Sequence, residues 1–169
     1  MAIGLLPMAA APNAESQIGI ITTSARDLWQ PSLSPDGRWL AFRVGSTTDP
    51  RQIAVVGSKD GQWTEPQDER SWRYLESDGA AARDKPCWSV DGRLLYYVST
   101  RGGLMNVWGV EFDSRGGVFG RPFQVTTFDG PGEQMPARLE EFDTAVGRGR
   151  LVIPTLRPTG GIWLLTPPQ

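Results

Sequence analysis

Two stretches of the sequence follow one pattern and decide the fold. The first is PSLSPDGRWLAF, residues 31–42, and the second is PCWSVDGRLLYY, residues 86–97. The two prolines that open them, and the two Asp-Gly pairs inside them, are each separated by 55 positions. A unit that recurs at a fixed period of this length indicates a stacked or radial array of structural repeats.

Each copy of the pattern predicts a β-hairpin. Its Asp-Gly pair favours a tight turn, because Asp bonds neighbouring backbone groups and Gly accepts a positive φ angle. The strand after the first turn is apolar on both faces, with Leu40, Phe42 and Val44 on one and Trp39 and Ala41 on the other. A strand of this kind is buried on both faces, as when sheets stack face to face.

The remaining segments extend these hairpins into units of four strands, which we call A to D. We predict a flexible arm over 1–16, a lone strand D over 17–22, complete units over 29–75 and 86–126, and a partial unit over 135–165. The partial unit has no Asp-Gly turn and no strand D after its strand C, Gly161–Leu165. The strand D at the start of the chain therefore supplies what the last unit lacks.

Composition argues against several classes of function. Lys and Arg number 17 and Asp and Glu 19, which gives a net charge of −2 and no basic footprint for nucleic acid. Histidine is absent, so no mechanism that needs an imidazole base is available. Cys87 is the one cysteine, which excludes a disulfide within the chain and a cysteine metal cluster. No apolar run approaches the roughly 18 residues of a membrane span.

No motif of catalysis or cofactor binding stands out. The sequence has no G-x-S-x-G nucleophile motif and no phosphate-binding glycine loop. Carboxylates cluster at 68–69, 76–78 and 140–143, but their spacing does not match a calcium loop. We predict solvated loop charges there, with a weak cation site as the alternative. The prediction is a protein that is not an enzyme, with no catalytic residue, no cofactor and no metal site.

The two repeated stretches resemble the repeat of TolB-like, WD-repeat-like β-propellers. The resemblance rests on Pro-x-x-Ser-Pro-Asp-Gly-Arg-x-Leu-x-Phe at 31–42 and its counterpart at 86–97, and it extends over residues 17–165. It implies an all-β fold in which blades of four antiparallel strands surround a central channel, and a half-propeller over 17–166. Two departures are Val90, where the family has Pro, and the third unit, which has lost the Asp-Gly turn.

The number of blades leads to an expectation about assembly. Propellers need four to eight blades, and this sequence encodes about three. We expect two chains to close head to tail into a six-bladed homodimer by strand exchange. The closing strands are residues 17–22 of one copy and 161–165 of the other, with the apolar residues Ile18, Ile20, Ile21, Ile162, Trp163 and Leu164 at the junction. The alternatives are a piece of a longer propeller and pairing with a different polypeptide.

Three functions remain open. The first is a scaffold that binds a protein or peptide partner through its loop face, with Trp63, Trp72 and Tyr74 as candidate contacts unless they pack between blades. The second is a carbohydrate-binding, small-ligand-binding or hydrolytic site in the central channel. The third is a structural half-propeller without a ligand. The resemblance implies a periplasmic protein, but the first residues lack a convincing signal peptide, so the compartment is open.

Overall fold

The computed structural model describes residues 1–6, 18–45, 51–75, 81–130, 132–136 and 143–160. These residues form antiparallel sheets, which confirms the predicted all-β class. The strands are β1 (Ala2–Leu5), β2 (Gly19–Thr23), β3 (Leu28–Leu33), β4 (Trp39–Val44), β5 (Gln52–Gly57), β6 (Arg73–Tyr74), β7 (Arg83–Trp88), β8 (Leu94–Ser99), β9 (Asn106–Asp113), β10 (Val118–Phe119), β11 (Phe123–Gln124), β12 (Ala145–Gly147) and β13 (Arg150–Val152). Among the described residues, the helical structure is a 3-10 turn at Glu69–Ser71, so no helix there could cross a membrane.

The two repeated stretches each open a sheet in which neighbouring strands follow chain order. The first sheet has the order β3-β4-β5-β6, and the second has β7-β8-β9, with β10 and β11 both paired to β9. Apart from β10, which was not predicted, these strands lie at or next to the predicted strands A to D of the two complete units. The last strand of each sheet is short: β6 has two residues, and β10 and β11 have two residues each.

The two sheets stack face to face because their strands are apolar on both sides. One face of the first sheet, with Ala41, Ile53 and Val55, packs against Leu95 and Val110 of the second. All five side chains have no measurable exposure to solvent. The prediction that β4 is buried on both faces is therefore confirmed. The opposite face of the first sheet packs against β1 and β2, and the far face of the second packs against the region around β13.

The start of the chain corrects one expectation. We predicted a flexible arm over 1–16, but Ala2–Leu5 forms β1, which pairs antiparallel with β2. Ile3 of β1 is buried in the same apolar cluster as Ile21 of β2, and this burial holds the segment against the first sheet. Residues 7–17, the rest of the predicted arm and the first position of the predicted strand D, lie outside the described residues.

The third unit is a hairpin in the described part of the chain. Strands β12 and β13 pair in register through the two-residue turn 148–149, where Gly149 has a φ of 64°. This agrees with the expected entry into the unit without an Asp-Gly turn. The predicted strand C of this unit, 161–165, lies outside the described residues.

Candidate functional site

The loop end of each complete sheet is built on one hydrogen-bond network. In the first turn, the Ser34 hydroxyl donates to Asp36 Oδ1 and accepts from the Trp39 amide at 2.9 Å. The Arg38 amide donates to the same carboxylate at 3.1 Å, and Gly37 adopts a φ of 71°. The Ser34 hydrogen bond, first among the causes, holds the pKa of Asp36 below its ordinary value.

The second turn repeats this network contact by contact. The Ser89 hydroxyl donates to Asp91 Oδ1 at 2.6 Å and accepts from the Leu94 amide at 2.9 Å. Gly92 has a φ of 70°, and the Ser89 hydrogen bond lowers the pKa of Asp91. The sequence predicted the role of the Asp-Gly pair but missed that of the serine. The signal for it was present, because Ser precedes Asp by two residues in both repeats.

An open groove lies beside the second of these turns, between the second sheet and the β12–β13 hairpin. Its volume is about 580 Å³. One wall is formed by residues 89–91 with Leu94, Tyr96 and Val125, and the other by residues 146–151. Val90 is 48% exposed and Val125 40%, so the wall offers apolar side chains to solvent. Asp91, Arg148 and Arg150 place charges among the lining residues.

The two repeats differ at one position that lies beside this groove. Between the two complete sheets, the Trp39 and Phe112 rings meet edge to face at 4.9 Å, and the Trp39 indole N–H donates to the Ser114 carbonyl at 3.2 Å. In the second repeat Leu94 stands at the position of Trp39, 55 residues later, and it lines the groove. The smaller side chain leaves space that the tryptophan fills one interface earlier.

A second cleft of about 420 Å³ lies beside β3 and β7, the first strands of the two complete sheets. Gln30 and Lys85, both among its lining residues and 55 positions apart, have the same positive φ of 54°. The side-chain oxygen Oε1 of Gln30 accepts a hydrogen bond from the Lys85 backbone amide at 3.0 Å, and the Lys85 ammonium contacts the Asp143 carboxylate at 2.9 Å. Non-glycine residues in this backbone region are strained and cluster at functional sites.

A buried ion cluster fixes β7 against the first sheet. Asp84 of β7, whose side chain is 1% exposed, lies 3.2 Å from the Arg51 guanidinium and 3.6 Å from that of Arg43. Burial is the largest influence on this carboxyl and raises its pKa, while the neighbouring Arg43 opposes the rise. Desolvation outweighs attraction because the carboxylate has lost nearly all contact with water.

The three aromatic residues proposed as partner contacts make contacts within the chain. Trp72 is 7% exposed, donates its indole N–H to the Thr22 hydroxyl at 2.9 Å and meets the Phe42 ring at 4.9 Å. Trp63 is half-buried and donates to the Gly37 carbonyl at 2.9 Å. Tyr74 accepts a hydrogen bond from Arg26, whose guanidinium also lies over its ring. These contacts favour the packing alternative, and partner binding by the three side chains stays a prediction.

The predicted closing strand at 17–22 has partners on both edges. Thr22 pairs with Ile3 of β1 on one side and bridges to Gln67 on the other, where its hydroxyl also donates to the Gln67 carbonyl at 2.7 Å. Ile21 is buried, whereas Ile18 is 64% exposed and Ile20 38%. The other expected junction residues, Ile162, Trp163 and Leu164, lie outside the described residues.

Within the described ranges, no group of three or more His, Cys, Asp or Glu side chains is arranged to hold a metal ion. The groove combines apolar side chains with a few charged ones. The second cleft, beside β3 and β7, has one lysine and one carboxylate among its lining residues. Neither the models of known protein families nor the curated proteins match this sequence.

Proposed function

We propose that the protein is a non-catalytic β-propeller scaffold that binds a protein or peptide partner through its loop face. The observation that carries this proposal is the open groove beside the Ser89–Asp91 turn, where apolar side chains meet solvent. Exposed apolar surface rimmed by polar residues is typical of sites that bind other proteins. The groove lies at the loop end of the second sheet, where the proposal places the binding face.

The groove also indicates the chemistry of the partner. Val90 and Val125 supply apolar contacts on one wall, while Arg148 and Arg150 lie with Leu151 on the opposite wall. A peptide with a bulky apolar residue next to an acidic residue would contact the apolar side chains with the first and pair with the arginines through the second. The apolar contact supplies most of the affinity, and the charges set orientation and association rate.

A displayed library of random peptides tests this proposal against the folded protein. We expect enriched sequences that pair an apolar residue with Asp or Glu. Val90→Lys and Arg150→Glu each replace an exposed side chain of the groove, and each should weaken binding of a selected peptide by about tenfold or more. Added salt should weaken binding as well, because the arginine contacts are screened.

Two exposed residues outside the groove provide matched controls. Val118→Lys introduces the same charge at a valine that is 56% exposed on β10, and Arg115→Glu reverses a charge in the β9–β10 turn. Both variants should bind the selected peptide like the unmodified protein. Enrichment of no peptide, or equal losses in groove and control variants, would reject the proposal.

Binding of a small ligand in the second cleft, beside β3 and β7, is the second candidate function. It is favoured by the matching positive φ angles of Gln30 in β3 and Lys85 in β7, and by the ion pair of Lys85 with Asp143. The cleft is lined by one carboxylate, Asp143, and by no aromatic residue, so it lacks the features of a sugar site. Titration with small anions and sugars, with Lys85→Gln as control, tests this candidate.

The proposal includes assembly of two chains into a six-bladed ring. It is supported by exposed apolar side chains at both ends of the sheet stack, where Ile18 is 64% exposed and Val152 65%. Half-blades expose unpaired edges and apolar faces that association would cover. Light scattering should give a mass near twice 18.5 kDa, and a mass near 18.5 kDa at micromolar concentration would reject the ring.

A further inference from the structure

The β12–β13 hairpin has the same register as the first hairpins of the two complete sheets. In each hairpin two residues seven positions apart pair across the turn, and a glycine four positions after the first of them has a positive φ angle. The pairs are Leu33 with Leu40, Trp88 with Leu95 and Ala145 with Val152, and the glycines are Gly37, Gly92 and Gly149. The three turns can therefore be compared position by position.

Two positions of the third turn differ from those of the other two turns. The place of the serine is taken by Val146, and the place of the aspartate by Arg148. Valine has no hydroxyl to donate, and arginine has no side-chain acceptor for a backbone amide, so the Ser-Asp network cannot form here. Pairing of Gly147 with Arg150 closes this turn instead. The Arg148 side chain is therefore not required to hold the turn.

The two exchanged residues both line the groove. Arg148 is exposed and lies on the wall formed by the β12–β13 hairpin. On the other wall, the Asp91 carboxylate is held in its own turn, where it accepts hydrogen bonds from the Ser89 hydroxyl at 2.6 Å and from the Arg93 amide at 3.1 Å. The groove therefore has a fixed negative charge on one wall and the arginine of the exchanged position on the other.

Arg148 differs in origin from Arg150, the other arginine of its wall. Arg150 follows the turn glycine, and an arginine follows the glycine in the other two turns as well, at Arg38 and Arg93. In those turns the backbone amide of this arginine donates to the aspartate. An arginine at that position is therefore common to the three turns, whereas Arg148 is peculiar to the turn at the groove.

We propose that Arg148 makes the groove selective for a carboxylate, supplied by an Asp or Glu side chain of the bound peptide. This inference rests on the proposed binding of a peptide in the groove, and it names the residue that sets the charge of the partner. A carboxylate accepts charge-assisted hydrogen bonds from the guanidinium. On the other wall the same carboxylate would meet Asp91, and this repulsion disfavours the reversed orientation. The acidic residue of the peptide thus lies on the side of the β12–β13 hairpin.

Selection from a displayed library of random peptides on two proteins tests this assignment. We expect the unmodified protein to enrich Asp or Glu, and Arg148→Asp to enrich Lys or Arg instead. Arg148→Asp should also bind a peptide selected on the unmodified protein about tenfold or more weakly. Arg115→Asp is the matched control, because it makes the same change of charge at an exposed arginine in the β9–β10 turn. Its selection and its affinity should equal those of the unmodified protein.

A double variant separates recognition from folding. Val146→Ser combined with Arg148→Asp supplies the hydroxyl and the carboxylate of the other two turns. We expect this variant to melt about 2 °C or more above Arg148→Asp alone, because the hydroxyl and the carboxylate together restore hydrogen bonds of the turn. It should still bind the acidic peptide as weakly as Arg148→Asp does. A double variant that is no more stable than Arg148→Asp overturns the equivalence of the turns and the assignment built on it.

The binding results distinguish this inference from the proposed function. If Arg148→Asp still enriches acidic peptides and binds them with unchanged affinity, Arg148 does not select the partner, while the groove stands as the binding site. Equal losses in Arg148→Asp and Arg115→Asp also overturn the assignment, because they attribute the effect to net charge. If the unmodified protein enriches no peptide, the proposed function and the role of Arg148 fall together.

Discussion

Replacing Asp84 with alanine gives the most direct measure of what joins the two complete sheets. The substitution leaves Arg43, whose side chain is 7% exposed, as a buried charge without its carboxylate partner. The Nε atom of Arg43 has no hydrogen-bond partner, and the Trp29 ring, whose centroid lies 5.6 Å from the guanidinium carbon, carries no charge that could replace the carboxylate. Breaking a buried ion pair by removing one partner costs about 3–5 kcal/mol in the free energy of unfolding.

Urea denaturation followed by tryptophan fluorescence measures this loss at neutral pH. With a slope of about 1–3 kcal/mol per molar urea, the midpoint should fall by about 2 M. Arg70→Ala is the matched control: its ion pair with Asp68 is shorter, at 2.6 Å, but its side chain is 92% exposed. Solvent screens such a pair, so we expect the midpoint of this variant to stay near that of the unmodified protein.

A double variant separates loss of the pair from loss of packing. Arg43→Met combined with Asp84→Leu removes both charges and keeps apolar volume, which is often neutral or stabilising at buried pairs. We expect it to recover at least half of the stability lost in Asp84→Ala. A loss below about 1 kcal/mol for the single variant would refute the reasoning, because it would mean that water compensates Arg43.

Three further outcomes follow from the turns and the cysteine. The lowered pKa of Asp36 means that its contribution to stability is present above the ordinary carboxyl pKa and is lost as the pH falls through the pKa of the folded state. Asp36→Asn should therefore reduce the fall of the melting temperature at acid pH. An unchanged dependence of the melting temperature on pH contradicts this. Gly92→Ala should lower stability by about 1 kcal/mol in urea, because its φ of 70° is strained for alanine; an unchanged midpoint contradicts it. Burial raises the pKa of the Cys87 thiol, so iodoacetamide should react with it more slowly in the folded protein than in urea, and equal rates contradict this.

The strands of the complete sheets could be predicted because their local signals agree. In β4 and β8 the Asp-Gly turn, the following apolar run and the 55-residue period all indicate the same hairpin. The length of the last strand was harder to predict. β6 pairs with Ala54 and Val55, the Leu75 amide after it donates to the Ile53 carbonyl at 2.9 Å, and no local sequence pattern sets where this pairing ends.

The candidate site could be predicted only in part. The sequence predicted partner contacts at aromatic residues such as Trp72, with packing as the alternative, and Trp72 is buried in the core. Leu94 lines the groove at the position where the first repeat has Trp39, and the sequence alone does not show which elements surround that position. The ion pairs of Asp84 could not be predicted because they join residues that are distant in the sequence. The prediction of a flexible arm missed β1 because Pro7 interrupts the short apolar run at the start of the chain.

The Ser-Asp turn has a consequence for how the chain reaches its final form. Every hydrogen bond described for the Ser34 network joins residues no more than five positions apart. The loop closed by such a contact is short, so its entropic cost is small and it can form early, before the sheets meet. Each complete unit thus carries its own starting point for folding.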